Sequence, residues 1–136
     1  MAEKTKQHPT ELELLILKIL WEESPLPVRD VRSRLAERGR DLAHTSVITT
    51  LNTMCDKKQL RRKKSGKAFL FSPKIKQERV SQSMLGDLVD RVFDGSASAL
   101  MLSLFDRSDL DVDEVRELRR LLNQKAKEMK LSLIHI

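Results

Sequence analysis

The sequence of 136 residues contains a single cysteine, Cys55. This excludes an internal disulfide framework and any metal site built from several thiolates. Aromatic residues are also scarce, with one Trp, four Phe and no Tyr, so a surface that stacks single-stranded bases is not expected. No apolar run approaches the roughly 18 residues that a membrane-spanning helix needs. These absences predict a cytoplasmic protein that does not insert into a membrane.

Catalytic and metal-binding motifs are absent as well. The histidines His8, His44 and His135 are far apart in the sequence and have no partners at ligand spacing. No glycine-rich phosphate loop occurs, and the acidic segment 106–114 lacks the spacing of an EF-hand loop. We therefore expect no enzymatic activity, no cofactor and no bound metal.

The positive charge is concentrated in one half of the chain. Residues 1–72 carry 15 Lys and Arg against 9 Asp and Glu, whereas residues 73–136 carry 11 of each kind. The whole excess of +6 therefore lies in the first half. Such a distribution is typical of a protein whose first half contacts a polyanion and whose second half contacts something neutral.

The first half has the pattern of a winged helix-turn-helix. Thr10 and Glu13 predict a capping box at the start of helix one, and Pro25 and Pro27 end that helix around a short extended piece at Leu26. A second helix ends near Gly39, and a third covers 44–56. Strands at 60–64 and 67–71 are predicted to flank a Ser65–Gly66 turn, with Leu60, Phe69 and Phe71 in the core and Pro73 closing the unit.

The third helix has the side chains of a recognition helix. Val47, Leu51 and Met54 predict its buried face, while its outward face is short and polar, which lets a helix backbone sit deep in the major groove. Asn can pair bidentately with adenine, and Thr methyls can contact thymine. The predicted DNA-contacting residues of this helix are Thr45, Ser46, Thr49, Asn52 and Thr53. An ordinary surface helix is the alternative, although such helices are richer in Glu, Lys and Gln.

A cationic β-wing is predicted to follow this helix. Seven of the eleven residues from 57 to 67 are basic and none is acidic. One face of the hairpin should carry Arg61, Lys63 and Lys67 and the other Arg62 and Lys64, and all five are predicted to position the wing on the DNA backbone. Taken alone, the same run is equally typical of a solvated surface hairpin.

The second half is predicted to be three helices that dimerise. The three helices have wide apolar faces but too few aromatic side chains to form a stable core alone. We therefore expect them to pack against a second copy. The fold class is thus mainly α, with a winged helix in residues 1–73 and helical dimerisation in residues 74–136. The apolar residues 131–136 are a docked tail or a cloning remnant, without predicted function. The predicted interface residues are Leu88, Val92, Leu100, Leu104, Val115, Leu118 and Leu122.

These features resemble the penicillinase-repressor (BlaI/MecI) family of bacterial winged-helix transcriptional regulators. The matching stretches are "ELELLILKILWEESPLPVRDV", "LAHTSVITTLNTMCDKKQL", "RRKKSGKAFLFSP" and "FDGSASALMLSLFDRSDLDVDEVRELRRLL", which span most of the chain from Thr10 onward. The resemblance implies a homodimer that binds a palindromic operator in double-stranded DNA through two winged helices. It also implies release by a membrane-linked sensor protease pathway that cleaves the C-terminal region.

Three features depart from the family pattern. This chain has Thr53 where a basic residue is frequent and Lys58 where Gly is frequent, so the operator sequence cannot be carried over. The Asn-Phe pair that is cleaved in antibiotic-responsive members corresponds to Ser103–Leu104, so the same proteolytic switch does not transfer directly. The cysteine cluster of the copper-responsive relatives is absent.

The sequence therefore predicts a sequence-specific repressor that acts as a homodimer on a palindromic operator. Two other classes of protein also fit these features. One is a winged-helix interaction module that binds an acidic protein partner through the basic run. The other is a dimeric RNA-binding protein, which the missing aromatic platforms disfavour.

Overall fold

The computed structural model describes residues 8–107 and 109–134, with side chains up to residue 130. Residues 131–134 of the predicted tail continue the last helix, whereas 135–136 lie outside the described residues. In chain order the elements are α1 (Glu11–Glu22), β1 (Leu26–Pro27), α2 (Val28–Glu37), α3 (His44–Asp56), β2 (Leu60–Ser65), β3 (Ala68–Pro73), α4 (Gln77–Val92), α5 (Ala97–Phe105) and α6 (Val112–Ile134). This confirms the predicted mainly helical winged fold.

The predicted capping box begins α1. The Thr10 hydroxyl accepts a hydrogen bond from the Glu13 N–H at 3.1 Å, and the Thr10 N–H donates to Glu13 Oε1 at 3.0 Å. Two backbone donors that a helix start leaves open are thereby satisfied.

The ends of α2 and α3 share one backbone arrangement, the Schellman motif. After α2, Gly39 has φ +87° and the Arg40 N–H donates to the Leu35 carbonyl at 2.9 Å. After α3, Lys58 has φ +68° and the Gln59 N–H donates to the Met54 carbonyl at 2.9 Å. A left-handed backbone suits glycine, because any Cβ is crowded there. Lys58 therefore adopts a conformation that the Gly39 position achieves without strain.

Replacing Lys58 with glycine is accordingly expected to stabilise the protein. Relief of left-handed strain should outweigh the added chain entropy of glycine and raise the free energy of unfolding by about 0.5–1 kcal/mol. Thermal denaturation followed by circular dichroism measures this change. Lys58→Ala is the matched control, because it removes the same side chain but keeps the Cβ at the positive φ of Lys58, and it should not stabilise the protein. A lower melting temperature for Lys58→Gly would contradict the expectation.

The three strands of the described residues form one antiparallel sheet in the order β1-β3-β2. Leu26 of β1 and Arg62 of β2 both pair with Phe71 of β3, on its two sides. The wing turn differs from the prediction by one residue: it consists of Gly66 and Lys67 instead of Ser65 and Gly66. A two-residue hairpin turn needs a positive φ at its first central position, and Gly66, at φ +63°, supplies it.

The core lies between the three N-terminal helices and the sheet. The predicted core residues Val47, Leu51, Met54, Leu60 and Phe71 are all buried. The most deeply buried side chains are Ile16, Leu17, Ile19, Leu20, Val31, Leu35, Val47, Leu51, Met54, Leu60 and Phe71. The prediction that Phe69 belongs to this core is wrong, since 44% of its surface is exposed. Phe71 is the deeply buried aromatic residue of β3, and its packing in the core anchors the wing to the helices.

The chain divides into two units, residues 1–88 and 89–136. The second unit contains α5, α6 and the end of α4, and none of its residues with described side chains is buried. The boundary predicted at residue 73 separates a DNA-binding part from a dimerisation part. It divides the chain by function, and it stays a prediction.

No helix in residues 8–107 and 109–134 combines the length and apolarity needed to cross a bilayer. Over the same part of the chain, no three His, Cys, Asp or Glu side chains come together as a metal site.

Candidate nucleic-acid interface

Helix α3 presents its polar side to solvent. The buried residues Val47, Leu51 and Met54 anchor the helix in the core, which leaves the opposite face free. All five predicted recognition residues are exposed: Thr45, Ser46, Thr49, Asn52 and Thr53. Thr50, which is not among the predicted residues, donates a hydrogen bond from its hydroxyl to the Ser46 carbonyl at 2.9 Å. The structure therefore brings the predicted set together on one face of a helix.

The start of α3 is open to an anion. Its N-cap is Ala43, which offers no side-chain capping hydrogen bond, and its first turn contains no acidic residue. The first backbone N–H groups of a helix carry partial positive charge, and phosphates bind readily there. The uncapped start was visible in the sequence as Ala43 before His44, and it leaves backbone N–H donors that the predicted list did not include.

The wing places its basic residues on two faces and at its tip. Arg61 and Lys63 pair with Ser72 and Leu70, whereas Arg62 and Lys64 pair with Phe71 and Phe69. Because paired residues share a face, Arg62 and Lys64 lie on the side of the buried Phe71, and Arg61 and Lys63 lie on the other side. Lys67 occupies the turn instead of the predicted strand. All five predicted wing residues, Arg61, Arg62, Lys63, Lys64 and Lys67, are exposed.

One wing residue contacts the recognition helix directly. Arg62 Nη1 donates a hydrogen bond to Asn52 Oδ1 at 2.6 Å, and the Arg62 guanidinium carbon lies 5.4 Å from the centre of the Phe69 ring. That distance is within the range of a cation–π contact. This contact was not predicted from the sequence, because it depends on the strand register, which decides that Arg62 faces α3.

A cleft of about 500 Å³ lies between α3 and the wing. Its wall contains four basic or potentially basic side chains and no carboxylate. A cleft lined by positive charge attracts polyanions and raises their local concentration. The lining residues are Pro27, Val28, Arg29, His44, Ile48, Asn52, Arg62, Lys67, Ala68, Phe69 and Phe71.

A buried ionic contact supports the segment that joins α3 to the wing. Glu13, only 4% exposed, accepts a hydrogen bond from Lys57 Nζ at 2.8 Å and a longer one from Gln59 Nε2 at 3.4 Å. Burial by itself raises the pKa of Glu13, but the hydrogen bonds from Lys57, the Thr10 N–H and Gln59, with the Lys57 charge, outweigh it and lower the pKa. Glu13 is thus a capping residue and also an anchor for the wing.

Glu13→Gln is expected to isolate the charge of this anchor, since glutamine can still complete a capping box. Loss of the charged hydrogen bond should cost about 2 kcal/mol of unfolding free energy at pH 7. A lowered pKa in the folded state gives stability that is full above the unfolded-state pKa and declines as pH falls toward the folded value. The difference between wild type and variant should therefore shrink below about pH 4.3.

Urea denaturation across pH 3–7 measures this effect. Glu11→Gln is the control: Glu11 lies in the same helical turn, its side chain is 96% exposed, and its Oε1 is 4.0 Å from Arg40 Nη1. It should change stability little at any pH. A constant Glu13→Gln penalty down to pH 3 would show that the charge of Glu13 does not stabilise the fold.

Cys55 lies beside the core at the end of α3, half-buried. Burial raises the pKa of the Cys55 thiol, more than the nearby Arg62 charge lowers it. The thiol is therefore protonated at neutral pH and is a poor nucleophile.

The predicted dimerisation residues leave much apolar surface uncovered. Leu88, Val92, Leu104, Val115 and Leu122 are between 41% and 62% exposed, and Leu100 and Leu118 are half-buried. Ser103 and Leu104, the predicted cleavage pair, lie inside α5 and are both exposed.

Residues 9–124 match a family model described as Penicillinase repressor. The chain is 23% identical over 110 residues to the methicillin resistance regulatory protein MecI of Mammaliicoccus sciuri, covering 81% of this chain and 89% of that protein. It is 22% identical over 115 residues to the penicillinase repressor of Bacillus licheniformis, covering 85% and 89%.

The chain is also 29% identical over 114 residues to the transcriptional regulator BlaI of Mycobacterium tuberculosis, with 82% of this chain and 80% of that protein covered. A similar solved structure is the solution structure of the DNA-binding domain of the repressor BlaI, with a TM-score of 0.46 and 24% identity. That similarity covers 54% of this chain and 90% of the solved one.

Proposed function

Because the chain belongs to the penicillinase repressor family, we propose that it is a transcriptional repressor that binds duplex DNA as a homodimer. The observation that carries this proposal is the pairing of an exposed polar helix with an exposed cationic wing across one cleft. An α-helix fits the major groove, and short side chains allow its backbone to approach the base edges.

The five predicted recognition residues of α3 would contact different parts of the DNA. Thr45 and Ser46, near the uncapped helix start, are placed to contact phosphate, together with the free backbone N–H groups. Thr49, Asn52 and Thr53 lie further along the helix, and we propose that they reach base edges in the major groove. The wing then follows the backbone of the neighbouring groove with Lys63, Lys64 and Lys67, which supply affinity without sequence preference.

The exposed apolar surface of the second unit supports the dimer. Val92, Leu102 and Val112 are each more than 60% exposed, and none of the residues from 89 onward with described side chains is buried. Monomeric proteins rarely leave this much apolar surface in water. A second copy would cover it, and the resulting twofold axis would present two winged helices to a palindromic operator.

Repression would follow from occupation of the operator, and release from anything that weakens the dimer. The family resemblance suggests a membrane-linked sensor protease, with cleavage at or near Ser103–Leu104. Since both residues lie within α5, local unwinding of this helix would have to precede cleavage. Since the operator is chromosomal DNA, we propose that the protein acts in the cytoplasm.

Selection from random duplex DNA tests the proposal without knowledge of the operator. The full chain is expected to enrich a symmetric sequence whose half-sites are spaced by one helical turn or a multiple of it. Footprinting should then show protection on both half-sites. Enrichment of no duplex sequence by the assembled protein would overturn the proposal. It would leave the alternative of a winged helix that docks on an acidic protein.

A further inference from the structure

The contact between Arg62 and Asn52 bears on how the recognition helix reads a base. Arginine has donors only, so the Asn52 atom that faces it must be the carbonyl oxygen. The 2.6 Å contact therefore fixes the orientation of the amide: Oδ1 points to the wing. The Phe69 ring, 5.4 Å from the guanidinium carbon, supports Arg62 from the same face of the hairpin.

This orientation changes the base that Asn52 can recognise. Bidentate pairing with adenine needs both amide groups, Oδ1 to accept from N6–H and Nδ2 to donate to N7. Here Oδ1 is engaged by a cation, and an adenine amino group would have to approach it beside the guanidinium charge. The free Nδ2–H groups can still donate to two acceptors, and guanine offers N7 and O6 on its major-groove edge.

We propose that Arg62 is a positioning residue that holds Asn52 as a donor and thereby favours guanine over adenine at the base pair that Asn52 faces. This inference rests on the proposed function and refines it. It differs from the sequence-based expectation on two points, since Asn52 is not an adenine reader and Arg62 does not act mainly on phosphate. The contact also joins the wing to α3, so both move as one reading surface.

Lys64 provides a matched control for Arg62. Both residues are exposed, lie on β2 two positions apart and share one face of the hairpin. Within the described part of the chain, no ion pair or ring contact of Lys64 is found. Arg62→Ala and Lys64→Ala thus remove the same charge from the same surface, but only the first removes the contact with Asn52.

The experiment uses the full chain and the duplex that it selects from random DNA. The base position read by Asn52 is the one whose preference disappears in Asn52→Ala. At that position wild type is expected to prefer guanine to adenine about tenfold, and Arg62→Ala should lose most of this ratio. Lys64→Ala should keep the ratio while weakening binding to all duplexes.

Three results would overturn the inference. These are a preference for adenine at this position, an Asn52→Ala variant without altered base preference, or equal effects of Arg62→Ala and Lys64→Ala with the guanine ratio intact. The effects of Arg62→Ala and Asn52→Ala should also be non-additive in a double-mutant cycle. Failure of the wild-type chain to select any duplex is a different outcome, because it removes the proposed function itself. Circular dichroism of each variant confirms that the fold is retained.

Discussion

Replacing both Leu118 and Leu122 with glutamate is expected to convert the protein into monomers that bind half-sites poorly. The two leucines lie one turn apart on α6, half-buried and 47% exposed in the single chain. Four leucines per dimer would lose the burial that dimerisation adds, about 0.5–1.5 kcal/mol each for side chains already partly buried, and the glutamates would add the larger cost of burying charge. The dissociation constant of the dimer should therefore rise by at least about four orders of magnitude. Light scattering after size-exclusion chromatography measures the mass directly.

Arg119 and Asn123 offer a control on the same helix. Both are exposed and each follows one of the two leucines, so glutamates at these positions add the same carboxylates to another side of α6. The control variant should remain dimeric. A dimer retained by the Leu118→Glu, Leu122→Glu variant would remove these residues from the interface.

Lys63→Ala combined with Lys64→Ala is expected to weaken binding to every duplex, whatever its sequence. Both side chains are exposed on the wing, one on each face. Removing one lysine–phosphate ion pair should lower the slope of log affinity against log salt by about 0.9, so removing four of them from a dimer should lower it by about 3.6. Fluorescence anisotropy with specific and random duplexes between 50 and 200 mM salt follows both quantities.

The control for the wing variant is Lys125→Ala combined with Lys127→Ala, which removes the same number of charges from exposed positions of α6. Its salt slope should match that of wild type. If both double variants gave the wild-type slope, the wing would not contact phosphates. Equal reductions in both would point to net charge instead of local contact as the cause.

Local signals made most of the fold predictable. The boundaries of α3 were predicted as the structure has them, 44–56, because the helical spacing of Val47, Leu51 and Met54 is uninterrupted. The wing turn was misplaced by one residue because Ser65–Gly66 and Gly66–Lys67 are both acceptable turn sequences. The pairing of Leu26 with Phe71 lay beyond prediction, since a two-residue strand gives no periodic signal.

The site was predictable as a surface but not as a set of contacts. Exposure of the five α3 residues and the five wing residues follows from their polarity and spacing. The contact of Arg62 with Asn52 depends on which residue of β3 each residue of β2 faces, and a shift of one position would reverse it. Likewise, Glu13 was recognised as a capping residue from Thr10 nearby, whereas its contact with Lys57 spans 44 positions.

The indole N–H of Trp21 donates to the Ile75 carbonyl at 2.9 Å, tying the end of α1 to the segment that precedes α4. This is the one tryptophan of the sequence, and there is no tyrosine. Intrinsic emission excited at 295 nm therefore reports on the N-terminal unit and is blind to α5 and α6. Combined with far-ultraviolet ellipticity, to which all the helices contribute, a single denaturant titration can distinguish unfolding of the N-terminal unit from unfolding of α5 and α6.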